Sequence, residues 1–172
     1  MRQGIGRLAL ALALTMAATA CSGSGAGAGG SAGASEGAAA GQAMATIPVT
    51  VTGAGGTHVF TTEVAKSAAQ QEKGLMYRTG MKPDQAMLFW PYPAGGGKPQ
   101  VANFWMKNTP SALDIVFIRA DGTVAHIAEN AVPYSETLIP SGEPVAAVLE
   151  IVGGRAADLG IAEGDKVSWP GK

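Results

Sequence analysis

Residues 104–118 are the part of the sequence that most constrains how this chain can fold. They read FWMKNTPSALDIVFI, two apolar segments joined by a polar turn at Asn108 to Ser111. Short apolar runs separated by turn residues are typical of β-strands. Lys107 and Asp114 fall within these predicted strands, and a buried charge is costly unless it is paired. We therefore expect these two charges either to lock the fold or to serve a site.

The same pattern of short strands and close turns continues through residues 47–172. Predicted strands cover residues 47–52, 58–64, 87–90, 101–106, 113–118, 123–128, 145–152 and 166–169, while residues 130–144 are predicted to be irregular. A short helix is predicted to begin after Ser67, with Gln70 completing a capping box and Gly74 as its stop, and residues 155–159 predict one further helical turn. This pattern predicts a mainly β fold, a single β-sandwich or barrel with one or two short helices.

Aromatic and charged residues limit the number of domains and the class of partner. All ten Phe, Trp and Tyr residues lie at or beyond Phe60, so the core must form there. Residues 47–172 are therefore predicted to form one domain. The twelve basic residues include Arg2 and Arg7 of a segment we expect to be removed; without them ten basic residues face thirteen acidic ones. We predict no nucleic-acid partner.

The first twenty residues have the three parts of an export signal. Arg2 and Arg7 form a basic start, residues 8–18 an apolar run, and residues 18–20 a small-residue cleavage site. Cys21, the one cysteine of the chain, follows directly and resembles the acylated cysteine of a bacterial lipoprotein, although Ala18 stands where that pattern prefers Leu. We predict a membrane anchor through acylated Cys21, facing the periplasm; ordinary cleavage to a soluble periplasmic protein is the alternative.

Residues 21–46 are predicted to be a flexible tether. They consist almost entirely of Gly, Ala and Ser, and they lack the apolar surface that would offset the entropy of ordering.

Several motifs in the predicted domain resemble a known family. They are Gly74-Leu75-Met76-x-Arg78, Met87-Leu88-Phe89, Phe104-Trp105-Met106-Lys107-Asn108-Thr109, Leu113-Asp114-Ile115-x-Phe117, Asp121-Gly122, and Leu149-Glu150 with Gly154 and Gly164-Asp165. In this order they are similar to the bacterial and archaeal family called domain of unknown function 192, over roughly residues 59–167. The resemblance implies a jelly-roll-like β-sandwich, often behind an export signal, and no established activity.

Strand alternation places charged side chains among apolar ones. Asp114 is predicted to share a face with Val116 and Ile118, and Glu150 to lie on the face opposite Leu149 and Ile151. The candidate pocket or buried ion-pair network comprises Arg78, Trp105, Lys107, Asn108, Asp114 and Glu150. One hypothesis is that its charges pair to fix strand register. The other is that they line a cleft in which burial raises the pKa of a carboxylic acid.

The sequence contains no complete catalytic motif, and it predicts neither a cofactor nor a metal site. Trp90 and Tyr92, beside two prolines, are candidates for the edge of a cleft for a sugar or peptide. Our leading hypothesis is a non-enzymatic envelope protein that binds a small ligand, a glycan or another envelope protein. The competing hypothesis is a hydrolase of envelope glycan or peptide, with Asp114 and Glu150 as its acid and base.

Overall fold

A computed structural model describes residues 43–172, which form nine strands and two short helices. The elements are β1 (Thr46–Gly53), β2 (Gly56–Ala65), α1 (Ala68–Lys73), β3 (Gln85–Phe89), β4 (Gln100–Phe104), β5 (Leu113–Ile118), β6 (Val124–Ala131), β7 (Ile139–Val145), β8 (Ala147–Val152), α2 (Arg155–Leu159) and β9 (Lys166–Ser168). The predicted signal peptide, Cys21 and most of the predicted tether lie outside the described residues. No helix within 43–172 has both the length and the apolar character needed to cross a bilayer.

Seven strands form one curled sheet in the order β6-β5-β8-β3-β2-β1-β9. The pairing of β2 with β3 is parallel, and the other pairings in this sheet are antiparallel. Its two outermost strands approach each other, because Thr123 and Lys166 form a β-bridge and the Val167 N–H donates to the Gly122 carbonyl at 2.8 Å. The sheet thus curls into a half-barrel, while β4 and β7 form a separate antiparallel ribbon.

The central strands are covered on both faces, as predicted for β5, whose six residues are all buried. Val116 and Ile118 lie in a first core together with Val167 of β9. This core fills the concave side of the sheet, since it joins strands that are distant in the strand order. Leu113 and Ile115 lie on the opposite face, in a second core that the β4–β7 ribbon covers.

The predicted helix signals are confirmed. In α1 the Gln70 N–H donates to Ser67 Oγ at 3.3 Å, and the Ser67 N–H donates to Gln70 Oε1 at 3.0 Å, which is the predicted capping box. The helix ends at Gly74, whose φ of 46° is a conformation that glycine adopts without strain. A Cβ at this position would lie 3.2 Å from Phe89 Cζ, so the glycine lets the end of α1 pack closely against β3.

The mainly β prediction is confirmed, but two local predictions are wrong. Residues 130–144 are not wholly irregular, because Ile139–Val145 forms β7. Pro140 and Pro144 are tolerated there since β7 pairs only with β4 and is an edge strand of the ribbon. The predicted strand 101–106 ends at Phe104, so Lys107 lies in a turn and is not a charge within a strand.

Candidate functional site

Glu150 is a buried carboxyl group in the middle of β8. Its register neighbours are Met87 on β3 and Ile115 on β5, which places it on the face of the second core. The residue is 4% exposed, and within residues 43–172 its Oε2 atom has no hydrogen-bond partner. Burial raises the pKa of Glu150 from its ordinary value of 4.5 to about 8, because the charged form loses its hydration. At neutral pH this side chain therefore holds its proton.

Glu150 lines a cavity of about 450 Å³, a volume typical of small-molecule sites. We name it the Glu150 cavity. Its walls are mainly aromatic and aliphatic, formed by Phe89, Tyr92, Phe104, Trp105, Leu75, Met76 and Leu138. The rings of Phe89 and Phe104 meet edge to face with centroids 5.0 Å apart. The cavity is thus a largely apolar space, and among residues 43–172 Glu150 is the one deeply buried acid that lines it.

Helix α1 closes one side of the cavity and is fastened to the sheet by Gln71. Gln71 Nε2 donates to the carbonyls of Ala65 at 3.0 Å and Pro91 at 2.8 Å, which ties the helix to the ends of β2 and β3. Glu72 and Lys73 on the same helix also line the cavity, and both are exposed. Their opposite charges are screened by water, whereas a negative charge on the buried Glu150 carboxylate would be screened much less.

Trp105 and Lys107 form the opposite part of the wall. Trp105 is 41% exposed, and Lys107 Nζ lies 5.0 Å from the centroid of its ring. At this distance the ammonium group is attracted by the electron-rich face of the indole. The wall therefore already holds one cation against an aromatic ring.

The turn that carries Lys107 is held in an unusual backbone conformation. Asn108 has a φ of 53°, and its carbonyl accepts the Tyr77 N–H at 2.8 Å. The Thr109 carbonyl accepts the Tyr134 N–H at 3.1 Å, and both tyrosines also have positive φ, 62° and 60°. Such conformations are costly for non-glycine residues and persist only where the surroundings hold them. Asn108 thus supports the turn through its backbone and does not line the cavity.

Asp114 lies on the other face of the sheet. Its neighbour across β8 is Ile151, a residue of the first core, whereas Glu150 faces the second core. Its carboxylate accepts three backbone N–H groups, from Asn130 at 2.8 Å, Gly154 at 2.9 Å and Ala156 at 2.8 Å. Two of these donors belong to the start of α2, so Asp114 fixes that helix to the sheet. The predicted common site for Asp114 and Glu150 is therefore wrong.

Arg78 also lies apart from the Glu150 cavity. It forms two hydrogen bonds with Glu63, one of them from Nη2 to Oε2 at 2.9 Å, and this contact raises the pKa of the arginine. Both residues line a separate cavity of about 1020 Å³ next to α1. Among the ion pairs of residues 43–172, none includes Lys107, Asp114 or Glu150. The predicted four-charge network does not form, and of the predicted site residues only Trp105, Lys107 and Glu150 line one cavity.

The aromatic walls were predicted in part. Tyr92 lines the cavity, as its place between two prolines suggested, and burial raises the pKa of its phenol. Trp90 instead packs edge to face on Trp169, with ring centroids 5.8 Å apart, against the first core. No group of three or more His, Cys, Asp or Glu residues within 43–172 is arranged to hold a metal ion. The contributions of Phe89, Leu75 and Gln71 carried no signal in the sequence beyond that of ordinary core and helix residues.

Comparison with known proteins identifies the family. The family model DUF192, described as "Uncharacterized ACR", matches residues 49–169. A crystal structure of a protein of unknown function from Novosphingobium aromaticivorans is 52% identical, with a TM-score of 0.68 over 72% of this chain and 85% of that chain. One from Sinorhizobium meliloti, named a "putative transcription regulator", is 44% identical, with a TM-score of 0.70 over 76% of this chain and 98% of that chain. No curated protein matches the sequence. Since the family model covers more than half of the sequence, in agreement with the motifs, this chain belongs to the DUF192 family.

Proposed function

We propose that this chain is an exported envelope lipoprotein whose domain binds a small, largely apolar ligand in the Glu150 cavity. One observation carries the binding proposal: the cavity of about 450 Å³ has mainly aromatic and aliphatic walls and is lined by Glu150, a buried acid of which one carboxyl oxygen has no hydrogen-bond partner among the described residues. Clefts of this size and composition, with one or a few converging polar groups, are the usual form of small-molecule sites.

The unpaired oxygen of Glu150 is what separates this cavity from a packing defect. Leaving a buried polar atom unsatisfied costs about 1–3 kcal/mol, and a ligand that supplies the missing partner recovers that free energy. The strongly raised pKa of Glu150 points in the same direction, because perturbed titratable groups cluster at functional sites. A bound ligand would therefore complete a contact that the fold leaves open.

The hydrolase hypothesis gains no support from this geometry. Two carboxyl groups that act on one glycosidic bond must flank it on the same side of the protein. Asp114 and Glu150 lie on opposite faces of the sheet, and Asp114 is occupied by three backbone donors. Glu150 has the raised pKa of a general acid. Among the described residues that line the cavity, however, no second carboxyl group is buried to a comparable degree.

A nucleic-acid function, which the name of the Sinorhizobium meliloti protein suggests for that protein, is also not favoured here. Residues 43–172 contain twelve acidic and ten basic side chains, so they carry no excess of positive charge. The three arginines among them, Arg78, Arg119 and Arg155, each pair with a carboxylate. A duplex-binding face requires basic side chains that are available for phosphates.

Ligand binding is tested with three compounds of equal chain length: octan-1-amine, octan-1-ol and octanoate. We expect at least one to bind the protein, as measured by calorimetry and by a change in tryptophan fluorescence. Leu138→Trp adds bulk at an exposed residue of the cavity wall and should abolish binding. The matched control is Val59→Trp, which is equally exposed, at 59%, but lies away from the cavity on β2. Absence of binding by all three compounds, or equal loss in both variants, would contradict the proposal.

Export and anchoring rest on the sequence of residues 1–21 and have their own test. Cells that express the full chain are labelled with an alkyne analogue of palmitate. The parent should carry the label and Cys21→Ser should not, because that thiol is the acylation site we propose. An unlabelled parent in the periplasmic fraction would instead favour the soluble form.

A further inference from the structure

We infer that the Glu150 cavity is selective for ligands that carry an aliphatic ammonium group, with Glu150 as the counter-ion. This inference rests on the proposed binding function and names the class of ligand. It follows from two observations: a buried acid, Glu150, lines the cavity together with four aromatic residues, and one of its carboxyl oxygens has no hydrogen-bond partner among the described residues.

The walls favour a cation because aromatic faces carry partial negative charge. Phe89, Tyr92, Phe104 and Trp105 all line the cavity, and cations are attracted to such rings most strongly where water is excluded. The protein itself supplies an example at the wall, where the ammonium group of Lys107 lies 5.0 Å from the centroid of Trp105. A ligand ammonium group that reaches deeper would come close to the other aromatic residues of the lining and to the Glu150 carboxylate.

Other charged and titratable groups of the lining act at longer range. They are Glu72 and Lys73 on α1, Lys107 in the turn after β4, and the Tyr92 phenol. Glu72 and Lys73 are exposed and opposite in sign, so their effects are screened and largely cancel. Of the carboxyl groups that the described part of the chain contributes to the lining, Glu150 is the one that is almost fully buried, and a charge there interacts most strongly with a bound ligand.

Binding of a cation must change the protonation of Glu150. In the empty cavity burial raises its pKa to about 8, so the carboxyl group is neutral at pH 7. A bound ammonium group stabilises the carboxylate, so one neutral carboxyl group and one ammonium ion become an ion pair and release one proton to solvent. An aliphatic amine remains protonated throughout this range, since its pKa is about 10.4. The affinity for the ammonium ligand should therefore rise about tenfold per pH unit between pH 5.5 and pH 7.5.

The experiment compares octan-1-amine with octan-1-ol and octanoate on the full domain. Calorimetry at pH 5.5, 6.5 and 7.5 gives the affinities, and pairs of buffers with different ionisation enthalpies give the protons released. We expect the amine to bind at least tenfold more tightly than the alcohol at pH 7.5, with close to one proton released per ligand at pH 7. Octan-1-ol should show neither proton release nor this pH dependence.

Glu150→Gln should remove the preference for the amine and its pH dependence while octan-1-ol still binds. The matched control is Glu129→Gln, at an exposed acid of β6 outside the cavity lining, which should keep both properties. Lys107→Met leaves Glu150 intact and removes the competing ammonium group over Trp105, so it should strengthen amine binding severalfold.

The outcomes separate this inference from the binding proposal. If octan-1-ol or octanoate binds as tightly as the amine, or if amine binding does not vary with pH, the inference is wrong while the binding function stands. Loss of amine selectivity in Glu129→Gln to the same degree as in Glu150→Gln would also overturn it. If none of the three compounds binds, the proposed function itself fails.

Discussion

Asp114 and Glu150 are buried on opposite faces of the seven-stranded sheet, and their carboxyl groups differ in their hydrogen-bond partners. Asp114 on β5 is completely buried and accepts three backbone N–H groups at 2.8 to 2.9 Å. Glu150 on the adjacent strand β8 is 4% exposed, and its Oε2 has no partner within the described residues. The first face is closed by the start of α2, whereas the second opens into a cavity.

This difference shows that the burial of a carboxyl group does not by itself reveal what that group does in the protein. The free energy of a buried carboxyl group depends on its partners, since donors that point at it replace the water it has lost. Asp114 has such donors and organises the local fold. Glu150 lacks them, holds a proton instead, and is available to a ligand.

The largest effect is expected for Asp114→Asn. The amide keeps one acceptor oxygen but turns an N–H group towards a backbone donor, so at least one buried N–H loses its partner. Hydrogen bonds to a charged acceptor are worth about 1.5–3 kcal/mol each, and we expect the free energy of unfolding to fall by about 3–5 kcal/mol, measured by urea denaturation. Asp158→Asn, at an exposed residue of α2, is the control and should cost less than about 0.5 kcal/mol. Equal stabilities of the two variants would contradict a structural role for Asp114.

Glu150→Gln should change the pH dependence of stability more than stability itself. The pKa is about 8 in the folded protein and 4.5 ordinarily, so between these values the native state holds a proton that the unfolded state has released. Raising the pH therefore lowers the free energy of unfolding by about 1.4 kcal/mol per pH unit. The stabilising contribution of the protonated Glu150 is complete below pH 4.5 and is lost as the pH approaches 8.

The measurement is the difference in unfolding free energy between the parent and Glu150→Gln at pH 5, 6 and 7. The parent should lose roughly 3 kcal/mol relative to the variant between pH 5 and pH 7. Using the difference removes the contributions of all titratable groups that both proteins share. A constant difference across this range would mean that Glu150 is not held neutral by its surroundings.

Only part of the contrast between the two faces could be predicted from the sequence. Alternation along residues 113–118 and 145–152 correctly assigned the faces of β5 and β8, because side chains in a strand alternate strictly. It did not give the partners of each acid. The donors to Asp114 come from Asn130, Gly154 and Ala156, which are 16 to 42 residues away in sequence.

The cavity was less predictable than the strands. Its walls combine α1, the end of β3 and the segment after β4, and the space between them depends on how these elements pack. Lys107 was wrongly placed in a strand. The turn predicted at Asn108 to Ser111 is present, but β4 ends at Phe104 and the turn already includes Lys107, before the left-handed backbone of Asn108. Trp105 and Lys107 were nevertheless expected to be neighbours, and the turn brings them together.

The ion pair between Arg78 and Glu63 is a third charged site to compare with Asp114 and Glu150. Substitutions at this pair are expected to have the smallest effect on the free energy of unfolding. The pair is bidentate, but its side chains are 37% and 30% exposed, so water competes with each partner. Arg78→Met and Glu63→Gln should each cost about 0.5–1 kcal/mol, and the double variant should cost little more than either alone. The coupling energy, measured by urea denaturation, should decrease further in 1 M NaCl. A coupling energy above about 3 kcal/mol would be as large as the effect expected at Asp114. It would mean that the number of hydrogen-bond partners of a charged group, more than its burial, determines how much that group stabilises this fold.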